Sequence, residues 1–190
     1  MTGECIMKTA AKFALIAALA ASAFALSGCA TVLDKHPVGN TAVPEPKKSV
    51  DLARYFGRWY ELARYEQGFQ KGCDGVTADY TIREDGKIDV LNRCSKPDGK
   101  ISDAKGKAKI VDADTNAKLK VSFFGPFYGD YWVLDRAEDY SWAIVGEPSG
   151  RYLWILSRDA APGEAAIKGL IARTAAMGYE TSYLRMTAQP

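Results

Sequence analysis

Tyr55-Phe56-Gly57-Arg58-Trp59-Tyr60-Glu61-Leu62-Ala63-Arg64-Tyr65 decides how this chain is read. A glycine, one residue and a tryptophan open an aromatic-rich strand. Gly57 has no Cβ and lets the chain turn sharply into that strand. Trp59 is the first large side chain of the strand, placed to plug one end of whatever the strands enclose. Downstream the apolar pattern has a period of two. Val76, Ala78, Tyr80 and Ile82 alternate with polar neighbours, as do Ile88, Val90 and Asn92 with Lys87, Asp89 and Arg93. Glu84-Asp85-Gly86 between them reads as a hairpin turn. Lys105, Lys107 and Lys109 mark the wet face of a fourth strand, which turns Ala104, Gly106, Ala108 and Ile110 inward. Leu119, Val121 and Phe123 form the inward set of a fifth. Strands over 130–135, 140–146 and 151–158 are apolar on both faces and need an outer cover. Residues 164–177 supply it: Ile167, Leu170, Ile171, Thr174 and Met177 fall on one stripe at helical spacing, with Gly178 as the stop. A short segment at 183–186 is expected to add an edge ribbon.

The fold class is therefore all-β: an eight-stranded antiparallel up-and-down β-barrel with a C-terminal α-helix packed outside. Closing the sheet removes both exposed edges. Eight strands either fill with side chains or hold one small ligand. The inward Ala78, Ala104, Gly106 and Ala108 favour a cavity; a solid core is the alternative. Up-and-down alternation puts loops 66–75, 95–100, 125–129 and 147–150 at a mouth. Turns 84–86, 112–116 and 136–139 and the end of strand eight fall at a base. Trp59, Asp139, Tyr140 and Arg158 then meet at the closed end, where an Arg over an indole face is a favourable pair.

The N-terminus is a separate matter. Lys8 and Lys12 precede an apolar run from Phe13 to Leu26, a secretory leader rather than a membrane span. Glu4 and Cys5 fit poorly in a basic leader, so the start is Met1 or Met7. Leu26-Ser27-Gly28-Cys29 resembles the lipobox of bacterial lipoproteins. That resemblance implies cleavage after residue 28 and acylation of Cys29, with a diacylglyceryl group and palmitate as the expected lipid. Ala30 in place of Asp implies the outer membrane, with the protein lipid-anchored on its periplasmic face. Residues 1–28 are read as the signal peptide, 29–49 as the lipidated N-terminus and a flexible tether, and 50–190 as the barrel domain. The tether contains Pro37, Gly39, Pro44 and Pro46 and the chain's single histidine, His36. The formal net charge is +2, and residues 1–28 carry Lys8, Lys12 and Glu4, leaving +1. A nearly neutral protein with no basic run among aromatics is no nucleic-acid binder. Cys73 and Cys94 both fall at the mouth, on neighbouring strands, and in an oxidising periplasm are expected to form a disulfide.

Gly57-x-Trp59, Asp139-Tyr140 and Arg158 resemble the three signature regions of lipocalins, here the barrel-closing set. The resemblance covers about residues 50–188 and is nearest to bacterial outer-membrane lipocalins and apolipoprotein D. Residues 121–128 (VSFFGPFY) and 152–158 (YLWILSR) strengthen it, and Glu138 departs from the Thr that many members carry. It implies binding of fatty acids or lysophospholipids and a link to envelope maintenance and stress. The barrel region has no histidine, so Ser-His and Cys-His nucleophiles are absent and no metal or cofactor is expected. The reading is a binding protein, not an enzyme. A carboxylate-based hydrolase using Glu61, Asp79 or Asp135 is the enzymatic alternative, with surface charge the plainer account of those residues. A structural envelope lipoprotein without a ligand is the other alternative. Ligand-lining residues are expected to be Ala78, Tyr80, Val90, Asn92, Val121, Phe123, Tyr131 and Trp154, with Phe69, Phe127 and Tyr128 at the mouth. Strands of this length give a barrel about 20 Å deep, suited to one acyl chain. A homodimer is left open.

Overall fold

The computed structural model describes residues 37–96 and 98–190. The leader, Cys29 and His36 lie outside the described residues. Helix α1 (Leu52–Tyr55) is a single turn, capped where the Asp51 carboxylate accepts from Ala53 N at 2.9 Å. Nine strands follow: β1 (Gly57–Tyr65), β2 (Asp74–Ile82), β3 (Ile88–Ser95), β4 (Ile101–Ile110), β5 (Lys118–Phe124), β6 (Phe127–Arg136), β7 (Trp142–Gly146), β8 (Leu153–Ser157) and β9 (Leu184–Met186). Helix α2 (Glu164–Ala176) stands between β8 and β9.

Consecutive strands from β1 to β8 pair antiparallel, and β8 returns to β1, closing the ring. The expected eight-stranded barrel is present. The seam is less regular than strict alternation predicts. β1 pairs with β2 only through Gly57–Tyr60, and its second half, Ala63–Tyr65, pairs with β9. Near the mouth β1 and β2 part, and the C-terminal ribbon fills the gap. Thr187 N donates to Leu62 O at 2.9 Å, while Gly75 N donates to Ala188 O at 2.7 Å. The expected edge ribbon is thus part of the wall. A bulge between Glu61 and Ala63 accompanies the change of partner.

β6 starts at Phe127, earlier than predicted, so the mouth connection after β5 is the two-residue Gly125-Pro126 and not a loop over 125–129. Helix α2 covers the outer wall as expected: Leu170 packs with Leu62, Ala63 and Ile155, and Thr174 is fully buried.

Residues 37–49 differ from the expected free tether. Gly39 N donates to Gly150 O at 2.9 Å, and Asn40 Nδ2 donates to Met177 O at 3.0 Å. Val43 packs on the Trp132, Leu134 and Tyr65 cluster, and Glu45 pairs with Lys118. Lys48 Nζ meets Asp135 at 3.1 Å and Glu138 at 3.0 Å. This strap runs down the outside of the barrel from mouth to base. Its polar groups have partners on the wall, a property that a Pro-rich sequence without apolar period does not reveal. Gly150 makes the dock possible: at φ +67 a Cβ there would meet Asn40 O at 1.8 Å.

Candidate functional site

The closed end is built first. Gly57 takes φ +92, which carries the chain from α1 into β1 and sets Trp59 across the base with no exposed surface. Trp59 Nε1 donates to Tyr55 O at 2.8 Å. The Arg158 guanidinium lies 3.7 Å from the Trp59 ring centroid, and its Nη2 donates to the carbonyls of Arg54, Tyr55 and Phe56 at 2.8–2.9 Å. These are the orphan carbonyls at the end of α1, so one cation seals both the indole and the helix terminus. Tyr140 lies between the guanidinium groups of Arg54 and Arg136, each 4.4 Å from its centroid, and its hydroxyl accepts from Asp51 N at 2.7 Å. Asp139 stays outside, accepting from Ser141 N in the turn at 3.0 Å.

Above this plug one cluster fills the lower barrel. Tyr80, Val90, Ile88, Ala108, Leu119 and Val133 are buried in it, and Ala78, Val121, Phe123, Tyr131 and Trp154 pack against it while only partly buried. Seven of the eight sequence-predicted lining residues therefore share one interior. The eighth, Asn92, stands opposite Ala78 on β2 and Ala104 on β4. Two short neighbours leave its amide prominent, and its Oδ1 is buried with no hydrogen-bond donor. Exposure along the inward rows rises toward the mouth. On β3, Ile88 and Val90 are buried and Asn92 is half-buried; on β4, Ala108 is buried, Gly106 half-buried and Ala104 exposed. One expectation needs correction: Gly106 does not leave free space, because a Cβ there would meet the Phe123 ring at 2.8 Å. Phe123 lies over the glycine as its cross-strand neighbour.

Three phenols missed as a unit by sequence reasoning converge in the interior. Tyr131 Oη lies 2.7 Å from Tyr55 Oη and accepts from Tyr80 Oη at 3.0 Å. Three hydroxyl protons serve two bonds, so one of the three is not used between these phenols. Burial is the main cause that pushes Tyr55 and Tyr131 well up from the ordinary phenol range and Tyr80 up to about 12. The stability these neutral phenols carry is fully present below the unfolded value of 10.0 and is lost as pH rises toward 12. Phenolate absorbance is expected to rise in two stages, the later one coinciding with loss of β-sheet circular dichroism. A single stage ending near pH 10.5 with the sheet intact would contradict this placement.

A second group missed from sequence is the Glu61–Arg64 pair. Surface charge is the plainer sequence account of Glu61, but the residue is 3% exposed and Arg64 is 0% exposed. Arg64 Nη1 reaches Glu61 Oε1 at 2.7 Å, and Thr187 donates to the same carboxylate. Gln70, which donates to Glu61 Oε2, accepts from Trp154 Nε1 at 3.2 Å. Glu61 shares Trp59's face by ordinary alternation, and the bulge between Glu61 and Ala63 brings Arg64 to the same side. Asp79 and Asp135 are paired on the outer surface with Arg58 and with Lys48 and Arg173.

At the mouth Cys73 and Cys94 form the expected disulfide, 21 residues apart in sequence. A loop of that length contributes roughly 3 kcal/mol. A surface cleft of about 790 Å³ lies elsewhere, between α2 and the outer wall, lined by Tyr60, Trp142, Leu170 and Arg173 among others. It lies outside the barrel and is open to solvent, unlike the enclosed apolar sites that suit an apolar ligand. Among the described residues no group of three His, Cys, Asp or Glu is placed to hold a metal ion.

Residues 50–189 match the Lipocalin-like domain family. The chain is a lipocalin. It is 44% identical over 152 residues to the outer membrane lipoprotein Blc of Vibrio cholerae, covering 77% of this chain and 88% of the relative. It is 38% identical over 176 residues to the outer membrane lipoprotein Blc of Escherichia coli K12, covering 92% and 96%. Rat apolipoprotein D is 35% identical over 131 residues, covering 64% and 68%. In this lipocalin Gly57, Trp59, Tyr140 and Arg158 converge on the closed end, as the signature resemblance implies, and Asp139 borders it.

Proposed function

We propose that this lipocalin holds one fatty acid or lysophospholipid in its barrel, as a non-enzymatic carrier anchored through Cys29 to the periplasmic face of the outer membrane and linked to envelope maintenance. The observation that carries the reading is the gradient of exposure along the inward rows, from a sealed base to half-buried apolar side chains below the mouth. An acyl tail enters along Val121, Phe123 and Trp154. Burying some fifteen methylenes at ~0.8 kcal/mol each, less several kcal/mol for association, leaves an affinity of about micromolar or better. The names of the Blc relatives support the outer-membrane setting.

Asn92 selects the head. An unpaired buried acceptor favours a ligand that brings a donor, and a lysophospholipid has a free hydroxyl where a fatty-acid anion has none. Trp154, at the upper end of the interior and bonded to Gln70, reports occupancy by fluorescence. Titrating lysophospholipid is expected to quench it to saturation. N92L is expected to weaken that binding about ten-fold, the worth of one hydrogen bond, and to leave fatty-acid binding nearly unchanged. Unchanged lysophospholipid affinity in N92L removes the head-group role; no saturable change with either lipid favours the structural lipoprotein, to which the filled lower barrel already lends some weight.

A further inference from the structure

The room left for a tail begins above a filled floor. Tyr80, Ile88, Val90, Ala108, Leu119 and Val133 are buried together in the lower barrel. Three large aromatic side chains, Phe123, Tyr131 and Trp154, pack on that cluster while only partly buried, so they bound the space above it. Two of the three are tethered by polar bonds. Tyr131 Oη is bonded to the Tyr55 and Tyr80 hydroxyls at 2.7 and 3.0 Å, and Trp154 Nε1 donates to Gln70 Oε1 at 3.2 Å. The Phe123 ring has no polar atom, so packing alone chooses its rotamer.

Its place depends on a carbon that the neighbouring strand lacks. Lys107 of β4 pairs with Ser122 of β5, which sets Gly106 beside Phe123 on the inward face. A Cβ on Gly106 would stand 2.8 Å from two carbons of the phenyl ring and 2.9 Å from the Ser122 carbonyl oxygen. The ring thus occupies the place that a side chain at 106 would take. Val90, opposite Gly106 on β3, is 2% exposed, and Ala108, the next inward residue of β4, is 4% exposed. A ring expelled from the glycine finds that part of the wall already packed and turns into the space the tail uses.

We propose that the Gly106–Phe123 pair sets the longest acyl chain the barrel holds. The bare glycine parks the ring against β4, and the volume kept clear in this way is the capacity of the site. The inference rests on the lipid-binding reading given above and adds to it the residues that measure the ligand. Its test is a chain-length series, decanoate to stearate, titrated into the full chain and followed by Trp154 quenching. In the parent protein affinity is expected to rise about four-fold per methylene until the chain outgrows the room, then level off. G106A is expected to level off at a shorter chain while binding decanoate as the parent does, because a short tail still fits. F123A is expected to level off at a longer one. G106A/F123A keeps the clash with the Ser122 carbonyl but has no ring to expel, and is expected to recover at least the parent's limit. A loss in G106A that is uniform across the series and not reversed by F123A assigns Gly106 to folding alone and overturns the proposal. So does an F123A profile identical to the parent's, a result that decides the matter even where G106A fails to fold. No saturable quenching by any chain in the parent protein overturns the lipid-binding reading itself, and the proposal with it.

Discussion

Glu61→Ala is expected to lower the unfolding free energy by about 3–5 kcal/mol, a large part of the 5–15 kcal/mol typical of a domain. The Arg64 guanidinium is wholly buried and answers to Glu61, to Thr187 Oγ1 at 3.1 Å and to the carbonyls of Gln70 and Cys73. Without the carboxylate it keeps only Glu66, at 3.2 Å and a third exposed, as a counter-charge. Glu61→Gln retains an acceptor and is expected to cost roughly half as much. The decisive comparison is Glu61→Met with Arg64→Met. Replacing both charges removes the desolvation cost together with the attraction, so the double variant is expected to be more stable than either single one. Urea denaturation of the four proteins at one pH measures this. A double variant whose loss equals the sum of the singles would mean that the two side chains do not act as a pair.

Arg158→Ala is the second large effect, about 2–4 kcal/mol. Stacking on a desolvated indole contributes up to ~2 kcal/mol, and charged hydrogen bonds to carbonyls about 1.5–3 kcal/mol, with part returned by water because the residue is half-buried. Arg158→Lys is expected to recover little: an ammonium cannot cover the Trp59 ring and still reach three carbonyls at once. Trp59 emission should shift to the red in both variants as water reaches the base. A lysine variant as stable as the parent would leave the helix terminus, not the guanidinium plane, as the seat of the plug.

Much of this was legible in the chain because a barrel wall writes itself in alternation. Lys105, Lys107 and Lys109 gave the outer face of β4, and the Trp59–Arg158 contact across a hundred residues followed from strand parity alone. The same rule put Ala78, Tyr80, Val90 and Asn92 in one inward row, whereas Tyr131 and Trp154 stand on strands apolar on both faces, where alternation makes no choice. Features that break parity stayed hidden. The bulge after Glu61 brings Arg64 onto the inward face that Glu61 already shares with Trp59, and no local pattern separates this pair from the solvated charges nearby. The strap over 37–49 gains its order from groups on the wall, so composition reads it as loose. Gly106 looked like space because its neighbour, Phe123, lies beside it only once β4 and β5 are in register. The Tyr55, Tyr80 and Tyr131 hydroxyls come from three separate elements, and only the closed ring brings them together.

The wedge at the seam has a consequence for assembly. β1 is the first of the strands in the chain and pairs with β2 through its first half only; its other neighbours are β8 and the Leu184–Met186 ribbon, ninety or more residues later. Pairings of such long range carry the greatest loop-closure cost and mature slowly. Until the final residues arrive, an aromatic-rich strand waits with an unpaired margin. Loss of the Leu184–Met186 ribbon would leave the β1–β8 closure in place but open a gap between β1 and β2 at the mouth.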